Sequence, residues 1–171
     1  MHVTYEKKRE MLFIGFHTEI RPGEIYRKCQ EFWNREYDTR YARLWQTRKP
    51  ETATEAAIIA NRIGTYAICA ASGQGFTYWI AGQYQGGDVP EGLKLFRFPA
   101  GNWAMFTAHG PLPSSLQNLN QFIWKEWYPA EGKQYQANGA ATIEVYSAGD
   151  PCSQAYECGI WVPLNGAVGE P

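Results

Sequence analysis

The sequence is short of the features that most often announce a function. It has four cysteines in 171 residues, and no Cys-x-x-Cys pair among them. Its three histidines, His2, His17 and His109, do not flank a cysteine pair, so no structural zinc site is expected. Cys152 and Cys158 lie near enough in sequence to bridge, but free thiols are the expectation here and for Cys29 and Cys69. No stretch approaches the ~20 apolar residues that a membrane-spanning helix needs. The N-terminus has no apolar run behind a basic start, so no secretory leader is expected and the cytoplasm is the expected setting. There is no P-loop or dinucleotide fingerprint, and Ser72-Gly73-Gln74-Gly75 lacks the spacing of a nucleophile elbow. His17 and His109 have no Ser or Cys partner at a recognisable spacing. No cofactor is implied.

Charge is scarce as well. Charged residues make up 19% of the chain, with 16 Lys and Arg against 17 Asp and Glu for a net charge of −1. Neutralising phosphates needs a clustered basic excess, so direct binding of nucleic acid is not expected. The one basic run, Lys7-Lys8-Arg9, meets Glu10 at once and reads as solvated surface.

What the chain does have is aromatic rings, 15% of all residues. Its length suits one domain with a real core. Met11–Ile20 alternates as a first strand, Pro22-Gly23 breaks it, and Glu24–Tyr37 has helical spacing. Asp38–Arg48 is polar with aromatic interruptions. Thr52–Ile63 predicts a short helix, with Thr52 placed to cap it and Glu55 behind. Strands are expected over Gly64–Ala70 and Phe76–Gln85, then over Leu93–Phe98 and Asn102–Ala108, the last two either bulged or separate. Ser114-Ser115 is placed to cap a helix over Leu116–Trp127, which Tyr128-Pro129 should end. Gly166–Pro171 reads as a frayed tail.

The last two strands lie in Ala140–Leu164. Ile143 and Val145 alternate with Thr142, Glu144 and Tyr146, and Ile160 and Val162 alternate with Gly159, Trp161 and Pro163. Matching the two alternations gives one aliphatic face for helices and one face carrying Glu144, Tyr146 and Trp161. A carboxylate among aromatic rings attracts an apolar cation through Coulomb and cation–π terms together. The stretch therefore reads as the floor of a binding cleft.

Strand, helix, strand, strand is thus written twice, with an extra segment in the first copy. The expectation is an α+β domain spanning 1–171, with pseudo-repeats at about 10–88 and 91–165. Its duplicated βαββ units would form a mostly antiparallel sheet, helices on one side, with a central ligand cleft.

The letters themselves have a family look. Phe13-Ile14-Gly15-Phe16, Phe32-Trp33, Gly75-Phe76-Thr77-Tyr78, Pro90-Glu91-Gly92-Leu93 and the run Phe98–Phe106 follow one another in a characteristic order. Ile123–Pro129, Ile143-Glu144-Val145-Tyr146, Asp150-Pro151 and Gly159–Leu164 complete it. In this order the chain resembles the GyrI-like small-molecule-binding family, which includes effector-binding domains of AraC- and MerR-type transcription regulators. The resemblance implies an aromatic pocket around a glutamate, matched here by Glu144, that takes lipophilic, often cationic or planar compounds. In this sequence Gly159 stands where an acid is common in the family; either Glu157, two residues earlier on the same strand face, stands in for it, or the groove is wider there.

The candidate ligand-binding residues are therefore Glu144, Tyr146, Trp161, Tyr78, Trp103, Glu157 and Phe106. Tyr146 and Tyr78 are the hydroxyls placed to satisfy a buried Glu144. The expected role is a drug- or effector-sensing domain, either part of or beside a DNA-binding regulator, or a stand-alone binder. The resemblance also leaves open a hydrolase that opens cyclopropane rings of DNA-alkylating natural products, with Glu144 activating water. It further leaves open a gyrase-inhibitor-like module that binds protein.

Overall fold

The computed structural model describes residues 1–166, and the expected tail lies, past Gly166, outside them. The fold is α+β and falls into two compact units, one formed by Met1–Met11 with the chain from Phe98 onward, the other by Leu12–Arg97.

The first unit is a four-stranded antiparallel sheet in the order β1 (His2–Lys8), β6 (Gly101–His109), β8 (Glu157–Leu164), β7 (Ala141–Tyr146). Between β6 and β7 runs α4 (Ser114–Phe122), which continues as a π-helical segment over Ile123–Gly132. The core forms where Leu119, Ile123 and Trp127 meet Ala104, Phe106, Cys158, Ile160 and Val162, all buried. Burying each large apolar side chain here contributes about 1.5–3 kcal/mol. This face of the sheet is its helix side.

The second unit repeats the plan with β2 (Met11–Ile20), β3 (Tyr66–Ser72), β4 (Gly75–Gln83) and β5 (Lys94–Phe98), ordered β3-β4-β2-β5. Its helical region is longer: α1 (Ile25–Glu31), a π-helical segment Phe32–Thr39, α2 (Ala42–Thr47) and α3 (Ala53–Ala60). Thr52 caps α3 as its position predicts, its hydroxyl accepting from the Glu55 amide at 3.1 Å.

Several elements differ from their sequence readings. β1 is a strand where the sequence reading places no element: Val3 and Tyr5 are half-buried while His2, Thr4 and Glu6 face outward, and pairing with β6 orders it. Of the two readings of Leu93–Phe98 and Asn102–Ala108, separate strands is the one found, the second beginning at Gly101. The cap of α4 is Pro113, without a side-chain hydrogen bond, because Ser114 and Ser115 turn their hydroxyls back to the carbonyls of Pro111 and Gly110. Pro129 does not end the second helix. Here backbone bonds reach five residues back, as from Lys133 to Tyr128 at 3.1 Å and from Ala137 to Gly132 at 2.9 Å. The wider turn moves aside the carbonyl that a proline ring strikes in an α-helix. Gly132 completes the segment, since a Cβ there would sit 2.7 Å from the Trp127 indole.

Candidate functional site

Pairing between β7 and β8 decides which side chains meet. Ile143 lies opposite Trp161, Glu144 opposite Ile160, and Tyr146 opposite Cys158. Directly opposed residues share a face. Glu144 and Tyr146 thus stand with Ile160 and Cys158 on the helix side, whereas Trp161 stands with Ile143 and Met105 on the other. The expected grouping of Trp161 with Glu144 is corrected: the two strands are shifted by one residue relative to the phase that matching apolar letters suggests.

Glu144 is half-buried, and Tyr146 donates its hydroxyl to the carboxylate oxygen Oε2 at 2.7 Å. Two residues apart on one strand, they share a face, so the bond follows from local geometry. A hydroxyl-to-carboxylate bond of this length is charge-assisted and holds the carboxylate in place. The helix α4 packs on β6 and β8. Cys158 lies buried on β8, its sulfur 3.5 Å from the Ser115 hydroxyl. Burial pushes its thiol above the usual range; the Ser115 hydrogen bond opposes this, and the negative charges of Glu144 and Glu157 add to the rise. The sequence marks Ser115 only as a helix cap and Cys158 only as a free thiol, and neither as a neighbour of Glu144. The pairing across β7 and β8 brings Cys158 to Tyr146, and its contact with Ser115 brings in the helix.

The remaining candidates stand in other surroundings. Phe106 is 1% exposed and meets Trp127 edge-on at 4.8 Å, inside the helix-side core. Trp103, also 1% exposed, packs edge-on against Phe98 on the opposite face, and its indole N–H has no hydrogen-bond partner among the described residues. Trp161 is half-buried with the Lys8 ammonium 4.6 Å from its ring centre. Glu157 is exposed and faces His109 across the strands at 3.3 Å. In the second unit Tyr78 is buried, accepts the Trp33 indole N–H at 3.0 Å, and meets Phe32 edge-on. Trp79 points to the opposite face and stacks on His17 at 4.7 Å.

All four cysteines are free thiols. Among the described residues no three His, Cys, Asp or Glu side chains gather to hold a metal, and no helix is long and apolar enough to cross a membrane.

The βαββ plan is thus written twice, and Tyr146 holds the Glu144 carboxylate on β7 of the first unit. Residues 5–164 match the family described as "Integron-associated effector binding protein", Cass2. The chain belongs to this family, and its fold is GyrI-like. Solved structures agree on the fold. SAV2435, bound to tetraphenylphosphonium, superposes with a TM-score of 0.75 at 18% identity, covering 97% of this chain and 95% of that one. The integron cassette protein VCH_CASS2 from Vibrio cholerae gives 0.56 at 12% identity, covering 95% of each. The C-terminal domain of EcmrR gives 0.57 at 11%, covering 97% and 98%. No curated protein matches by sequence.

Proposed function

We propose that this chain binds bulky lipophilic cations, with Glu144 opposing the ligand's charge and Tyr146 holding the carboxylate and offering its ring. One observation carries the reading: a half-buried carboxylate on the helix side of β7, fixed by a 2.7 Å hydrogen bond. A carboxylate removed from bulk water gains more from a counter-charge than an exposed one does. A cation delocalised over aryl groups loses little hydration on entering such a place, and an aromatic neighbour adds about 0.5–2 kcal/mol. The binding of tetraphenylphosphonium by SAV2435 supports the choice of ligand class. In this reading the chain is an effector sensor working with, or as part of, a transcription regulator. The EcmrR domain, also solved within a complex with DNA, supports that setting.

Titrating the chain with tetraphenylphosphonium while following its tryptophan fluorescence tests the proposal. Saturable quenching that weakens on the order of tenfold in Glu144→Gln is expected, as loss of a partly buried charge pair implies. Absence of saturable quenching contradicts it.

A further inference from the structure

The second unit contains a cavity of about 380 Å³ that the Glu144 site does not use. Its aromatic and aliphatic lining comes from Tyr37, Trp45, Ile58 and Ile63, and two arginines, Arg48 and Arg62, stand at it. That volume lies in the range of small-molecule sites, and an apolar lining with a few convergent polar groups is their usual make-up. The walls come from the end of the π-helical segment, which supplies Tyr37, and from α2, α3 and the turns after them.

Three features give the cavity a preference for one ligand class. First, both arginines lack a carboxylate partner among the described residues, although Arg43 in the same segment is held by Glu51 at 3.2 Å and Glu55 at 2.5 Å. Second, both adopt left-handed backbone conformations, φ 56° at Arg48 and 50° at Arg62, each just after a short helix. Glycine or asparagine usually takes such positions, and a longer side chain costs about 1–2 kcal/mol there. A cation at a helix C-terminus gains some of this back from the backbone carbonyls, which accounts for basic character but not for two arginines lining one cavity. Third, the Trp45 indole N–H is buried and finds no acceptor among the described residues. Buried donors almost always have one. The Tyr37 hydroxyl is already committed, donating to the Ile63 carbonyl.

We infer that this cavity is a second binding site, separate from Glu144, that takes a planar aromatic carboxylate: the ring lies against Tyr37 and Trp45, and the carboxylate faces Arg48 and Arg62. Asp38 also lines the cavity and opposes an anion. The arginine pair outweighs it.

Calorimetric titration of the full chain with 2-naphthoate tests the inference, with neutral 2-naphthalenemethanol as the control. Naphthoate should bind and the alcohol should bind far more weakly. Arg48→Gln and Arg62→Gln should each cut naphthoate affinity on the order of tenfold, and Trp45→Phe should cut it severalfold. Asp38→Asn should tighten it. Arg48→Gly gives a readout that a purely structural arginine would not: binding falls while Tm holds or rises, because glycine accepts the left-handed backbone. Glu144→Gln should leave naphthoate binding intact, which separates this site from the cation site. No naphthoate binding, equal binding of the alcohol, or an Arg48→Gln/Arg62→Gln double variant with unchanged affinity overturns the inference.

Discussion

At the residue scale, Glu144 and Cys158 are each defined by their neighbours. Cys158 sits buried one strand across from Tyr146, and burial with nearby carboxylates holds its thiol protonated past the usual range. The thiolate is the reactive form. Cys152 is exposed. At pH 8, iodoacetamide should therefore label Cys152 well before Cys158, and Cys158 labelling should accelerate only at more alkaline pH. Peptide mass spectrometry over time reads the order directly, and the reverse order would contradict the described environment. Glu144 could be singled out from its letters, since a carboxylate between β-branched and aromatic strand residues is unusual. Its partner was legible too, because Tyr146 must share its face. Trp161 was not: each strand's alternation sets faces within that strand, but the ten-residue connection between β7 and β8 leaves their relative phase open.

At the scale of elements, the best-read pieces are those that carry their own local chemistry. The α3 helix declares its start through Thr52 and Glu55, whose carboxylate also accepts the Glu51 amide at 2.6 Å. Thr52→Ala should lower stability by about 1 kcal/mol, or roughly 2–4 °C in Tm for a chain of this size. Thermal unfolding followed by circular dichroism checks it, and an unchanged Tm would deny the cap its role. The elements misread were those settled by tertiary partners. β1 carries only two inward side chains, Val3 and Tyr5, within a polar run, so its pairing with β6 had no strong signal in the letters. The π-helical continuation through Pro129 breaks a rule that holds for α-helices, and nothing local announces the wider turn.

For the whole molecule, tyrosine burial makes a pH prediction. Tyr37 is held far above the usual phenol value of 10.0, chiefly by burial and next by Asp38, with Arg48 opposing; burial raises Tyr41, Tyr66 and Tyr156 too. Above pH 10 the unfolded chain releases protons that the folded chain keeps, so folding stability is full below that pH and falls as pH rises through it. One such group alone contributes a slope of about 1.4 kcal/mol per pH unit. Tyr37→Phe should be less stable at neutral pH by about 1 kcal/mol, having lost its bond to Ile63. It should also show a shallower alkaline decline. Denaturant unfolding of both proteins between pH 7 and 11 measures this, and parallel curves would mean that Tyr37 does not titrate as its burial requires.

The central claim is that the Glu144 charge selects cationic ligands, and a cycle of ligand charge against residue charge isolates it. Binding of tetraphenylphosphonium and of neutral triphenylphosphine oxide is measured on the natural chain and on Glu144→Gln. A loss on the order of tenfold is expected for the cation and almost none for the neutral compound. Equal losses for both, or no loss for the cation, would show that position 144 supplies shape rather than charge and would contradict the claim.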